Sequence, residues 1–183
     1  MLRRGYGCVL LGLLALLVHA EDVPETIPPD ASVMPEETLV VALKAFEGRW
    51  LGHFTVHSTA TGYTETFTVE QQYWWKNGKL HGVAVTEREQ GMSSSRSQSI
   101  VEGGKYLSEV RSGDSAEMYW GVLRDGGVVW FSSNLKRLND YQMKETIMEV
   151  DGKRVLKTEG FDTYVYGEGM AHLVYRGELK FVE

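Results

Sequence analysis

Four kinds of residue in this chain have types and spacings that could carry chemistry. The first is histidine. His53 and His57 are four apart, while His81 and His172 stand alone. On an extended strand a spacing of four puts two side chains on one face. The pair would bind a metal only with a third ligand, and none sits near it in sequence. His53 and His57 therefore read as surface residues, as does His81 beside a turn. The second is the polar run Ser93-Ser94-Ser95-Arg96-Ser97. It reads as an edge or a loop, with a polar cavity lining as the alternative, and Arg96 within it could meet a carboxylate ligand. The third is the charge run Glu87, Arg88 and Glu89, which reads as solvated. The fourth is the aromatic set. Tyr73, Trp75, Trp120 and Trp130, with Tyr106 and Tyr141, fall on alternating stretches. Such rings line cavities for flat apolar ligands and offer polar tips for orientation. They also fill a solid core. Gly-x-Ser-x-Gly, His-Glu-x-x-His and a phosphate-cradling glycine loop are all missing from the sequence, so no catalytic residues are assigned.

Composition limits the partners. The chain has 183 residues with a net charge of -6 and a single cysteine, Cys8. Arg3 and Arg4 followed by the apolar run Val9 to Val18 and then Val18-His19-Ala20 predict a signal peptide over 1–20, cleaved after Ala20. The run is short for a membrane span. Cleavage would remove Cys8 and two of the 19 basic residues, leaving 17 against 25 acids and a net charge of -8. The mature chain would then hold no disulfide and no cysteine-bound metal. It is expected to be periplasmic or secreted, without a membrane span. Its acidic balance argues against nucleic acid as a partner. Residues 21–34 contain Pro24, Pro28, Pro29 and four acids without apolar periodicity, and predict a flexible acidic linker.

The elements that position the candidate residues follow from periodicity. Over Pro35 to Phe46, Leu39, Leu43 and Phe46 recur at i, i+4 and i+7. With Pro35 at the first position and Glu36 and Glu37 in the first turn, this predicts one short helix. Its expected role is to close the open bottom of a barrel. From Arg49 onward the period is two. Asn77-Gly78, Gly103-Gly104, Gly113-Asp114, Gly126-Gly127 and Asp151-Gly152 punctuate the strands. The pattern predicts an all-β fold over 35–183: a roughly ten-stranded antiparallel up-and-down meander barrel with one N-terminal helix. A β-sandwich is the rival, and the short sequential hairpins favour the barrel.

Gly48-Arg49-Trp50-Leu51-Gly52 after a short helix, at the head of such a meander, resembles the opening of the calycin superfamily, the lipocalin-like and fatty-acid-binding-protein-like barrels. The longer Gly-x-Trp-x-Gly form is similar to that of small bacterial secreted lipocalin-like domains and to the opening of nitrobindin-type haem barrels. The resemblance implies a barrel floor of Gly48 and Trp50 covered by a basic residue of the last strand, Arg176 or Lys180. It also implies that His172, on that strand, would be a haem ligand if it faced inward. Alternation puts His172, Val174, Arg176 and Lys180 on one face and Leu173, Tyr175, Leu179 and Phe181 on the other, so His172 faces inward if Arg176 or Lys180 covers Trp50, and outward if the apolar set takes the interior. Apolar side chains usually take the core side.

Three functional expectations follow. The first is a non-enzymatic barrel that binds a small apolar molecule, with Tyr73, Trp75, Trp120 and Trp130 lining the cavity and no cofactor. The second is a haem-binding barrel with His172 as axial ligand and only metal site. The third is a ligand-free structural or interaction domain of the cell envelope.

Overall fold

The structure, a computed structural model, describes residues 34–137 and 139–182. The expected signal peptide and all but the last residue of the expected linker lie outside the described residues. The alternation seen in the sequence becomes ten antiparallel strands: β1 Gly48–Ser58, β2 Thr64–Lys76, β3 Lys79–Arg88, β4 Gly91–Glu102, β5 Lys105–Ser112, β6 Ser115–Arg124, β7 Gly127–Ser132, β8 Tyr141–Val150, β9 Lys153–Tyr166 and β10 Gly169–Phe181. Each pairs with the next in sequence, and β1 pairs with β10, so the sheet closes into a meander barrel. The closing seam runs from Trp50 opposite Phe181 to Ser58 opposite Leu173. Closure gives every strand a partner on both sides.

Turn chemistry accounts for much of this order. Asn77, Asp125 and Asp151 adopt positive φ, each followed by a glycine also at positive φ. That is the backbone of the tight hairpins whose twist matches the strands they join. One connection is longer, holding a 3-10 turn at Leu135–Arg137 between β7 and β8.

The single α-helix, α1 Glu36–Lys44, closes one end of the barrel. The carbonyl of Pro35 accepts from the amides of Thr38 and Leu39, so Pro35 is the capping residue and the helix begins one residue later than its sequence pattern. Leu39, Leu43 and Phe46 point into the barrel and are almost fully buried. Two hydrogen bonds pin the plug: Trp50 Nε1 donates to the Phe46 carbonyl at 2.8 Å, and the Tyr106 hydroxyl donates to the Leu39 carbonyl at 3.1 Å. Trp50, Leu156, Leu179 and Val128 complete this apolar floor. Among the described residues no helix is long and apolar enough to cross a membrane.

Candidate functional site

The barrel interior has three layers, each traceable to side-chain parity along the strands. The floor is the apolar plug. At the opposite end lies a layer of charged and hydroxyl groups. Arg88 Nη1 pairs with Glu65 Oε2 at 2.7 Å, both side chains largely buried, and its guanidinium stacks 3.8 Å from the Phe67 ring centre. Arg137 pairs with Asp162, the Tyr119 hydroxyl donates to Glu117, and Ser58 Oγ and the Tyr164 hydroxyl share a hydrogen bond at 2.6 Å. Arg88 is thus an interior residue and not part of a solvated run. It shares the parity of Leu80, which is buried, and its neighbours Glu87 and Glu89 take the opposite parity.

Between these layers lies an internal cavity of about 160 Å³. Aromatic rings make most of its wall: Phe54, Tyr73, Tyr119, Trp130, Tyr141 and Tyr175. Leu43 and Phe46 of the plug form its base, and Met143 and Val110 fill gaps. Ser97, Ser99 and Ser108 form a hydroxyl patch on β4 and β5, where Ser99 Oγ donates to Ser108 Oγ at 2.9 Å. Of the serine run, Ser97 lines the cavity and Ser93 and Ser95 share its parity, whereas Ser94 is exposed; the run lies on strand β4 and not in a loop. Arg96 takes the opposite parity and is exposed.

Two carboxyls also line the cavity, Glu145 and Asp162. Asp162 has its arginine. Among the described residues Glu145 has no cationic partner; Trp130 Nε1 donates a hydrogen bond to its Oε2 at 2.8 Å. Burial pushes its pKa above the ordinary 4.5, and the indole hydrogen bond opposes this only in part. Burial, reinforced by the Glu145 charge, raises Tyr73 and Tyr141 well above the ordinary tyrosine value. Burial alone lifts Tyr106 to about 12. These hydroxyls stay neutral, and that of Tyr106 donates to the Leu39 carbonyl.

The sequence-expected residues divide between the two faces. Tyr73 and Trp130 are cavity walls. Trp75 shares the inward parity of Tyr73 but sits beyond the cavity at the floor end, with the Lys44 ammonium 5.0 Å from its ring centre. Trp120 is on the outer face, stacked on Phe131 at 4.5 Å. Gly48 opens β1 at φ 119°, and Trp50 is fully buried in the floor. The cation over Trp50 is Arg154 of β9, 5.1 Å from that ring and 4.4 Å from Phe181. Arg176 stands exposed on the outer face, opposite Thr55 across the closing seam. The cation-on-indole contact implied by the resemblance exists, but a different strand supplies it.

His172 is also outside. It is exposed, its Nδ1 is 3.0 Å from Thr163 Oγ1, and its ring meets Phe161 edge-on at 5.6 Å. His53, His57 and His81 have outward parity as well, so no histidine among the described residues faces the interior. Nor do the described residues hold a group of three or more His, Cys, Asp or Glu placed for a metal ion.

Sequence reasoning missed Glu145, Asp162 and the Arg88–Glu65 pair. A signal existed for Glu145. It lies on the Tyr141, Met143, Ile147 side of β8, whereas Gln142, Lys144 and Thr146 take the other. A carboxyl on the apolar side of an alternating strand is the mark of a buried acid.

No family model matches the chain, and no curated protein matches it.

Proposed function

We propose that this protein is an exported, calycin-like barrel that binds a small, largely apolar molecule inside the barrel and catalyses no reaction. The observation that carries the reading is the 160 Å³ aromatic-walled cavity closed below by the α1 plug. Its size sets the scale of the ligand. Cavities of about 150 Å³ accommodate a benzene-sized molecule, and drug-sized ligands occupy roughly 300 Å³ or more. A single aromatic ring with a short substituent fits, and a fatty acid or haem would require the interior to open. The haem alternative also lacks an inward histidine, since His172 is on the outer face. The Gly48-Arg49-Trp50 opening, the plug and the cation over the buried indole support the calycin reading.

Native mass spectrometry of the chain from Glu21, purified without detergent and compared with its denatured mass, tests the reading. The expected result is an extra mass of one small organic molecule, lost on denaturation. A bare chain mass, both as purified and after incubation with benzene-sized aromatics, would overturn it in favour of a ligand-free structural domain.

A further inference from the structure

The cavity walls are chemically lopsided, and the imbalance identifies the class of ligand. The interior cations of the upper layer are already engaged: Arg88 by Glu65 and Arg137 by Asp162. Glu145 has no such partner among the described residues. The groups facing it are Trp130 on β7, Thr158 opposite it on β9, Tyr141 on its own strand and Tyr73 across the cavity. None is a cation. Trp130 donates one hydrogen bond to the carboxyl, and the fully buried Thr158 hydroxyl has no partner among the described residues. A carboxylate removed from water is stable only when paired. Aromatic rings line the same cavity, and a cation set over the face of such a ring is attracted to it.

We propose that this cavity is a site for a small organic cation, an ammonium group on an aromatic or short alkyl body, held by the Glu145 carboxylate among the rings of Tyr73, Tyr141 and Trp130. The inference rests on the cavity-binding reading above and narrows its ligand. The ammonium supplies the charge that Glu145 lacks. The apolar body fills the space between Phe54, Tyr175 and the plug. The serine patch on the opposite wall accommodates a polar substituent on the ligand. Binding stabilises the ionised form of Glu145, so it is coupled to release of the proton that burial favours.

The test is isothermal titration calorimetry of the chain from Glu21 with two probes, benzylammonium chloride and benzyl alcohol, its neutral counterpart of the same shape. At neutral pH, benzylammonium is expected to bind roughly 30-fold more tightly. Glu145→Gln, which preserves shape and the acceptor for Trp130, is expected to abolish that preference, so that the variant binds the two probes equally. The unaltered chain gives a second readout, independent of whether the variant folds. Lowering the pH through the titration of Glu145 should weaken benzylammonium and spare benzyl alcohol. Equal affinity for the two probes, or a preference that survives both the substitution and acidification, would overturn the cation assignment and leave the cavity-binding reading standing. Binding of neither probe would overturn the assignment; with a bare mass in the native spectrum, it would remove the cavity-binding reading too.

Discussion

Glu145 is a buried carboxyl without a cation among the described residues, and its cost to the fold depends on pH. Burial raises its pKa, so the folded chain holds this proton to a higher pH than the unfolded chain does. Below the ordinary value of 4.5 both states are protonated and the site costs nothing. As pH rises from there through the folded value, the unfolded state releases a proton that the folded state resists losing, and stability falls. Glu145→Gln should therefore melt with the parent in acid, then above it as the pH rises, with the gap levelling off past the folded pKa. A thermal-denaturation series across that range checks this, and a variant less stable than the parent at neutral pH would contradict it. Asp162 is also raised by burial, but Arg137 opposes the shift, and it is common to both proteins in the comparison. The position of Glu145 on the inner face was readable from β8 alone. Its isolation from cations was not, because Arg88 and Arg137 are drawn to carboxylates on other strands, Glu65 on β2 and Asp162 on β9.

The strands show how local chemistry positions the cavity walls. Gly177 faces inward on β10, where an added Cβ would lie 2.4 Å from Cε2 of Phe54. The glycine thus lets the Phe54 ring lie against the sheet and leave the centre open. Gly177→Ala should drive that ring toward the cavity and destabilise the fold by about 1–3 kcal/mol. Urea unfolding measures the loss, and an unchanged midpoint would show that Phe54 does not pack there. The helix works in the same way at the floor. Its Leu39, Leu43 and Phe46 stripe was legible as one amphipathic face, and a short helix leading into the first strand has the barrel mouth as the nearest apolar surface to cover. The residue over Trp50 illustrates the opposite case. Arg154 on β9 and Arg176 on β10 are both basic and both on strands near the floor. Alternation turns Arg176 to the outer face and sets Arg154 on the side of Leu156 and Thr158, and the closed barrel brings Arg154 to the indole.

At the scale of the molecule, closure is what turns a sheet into a container. Were the meander left open, β1 and β10 would be edges with unpaired amides. In the closed barrel these amides take part in the seam from Trp50–Phe181 to Ser58–Leu173. Hydrogen exchange should therefore show β1 and β10 protected to a degree comparable with internal pairs such as β8 and β9. Fast exchange confined to the seam amides would mean that the barrel opens there.

Period-two alternation, glycine turns with aspartate or asparagine, and one amphipathic stripe determined the strands, the hairpins, the helix and the direction each side chain faces. These are short-range properties: pleating alternates side chains residue by residue, and a tight turn is set by two or three backbone conformations. The space left between the walls belongs to a different level. It depends on which strands face one another across the closed barrel, how far each is staggered, and whether opposed side chains meet or leave a gap. Ser97, Trp130 and Glu145 come from separate hairpins, and nothing local relates them. Closure alone brings their side chains together around one cavity.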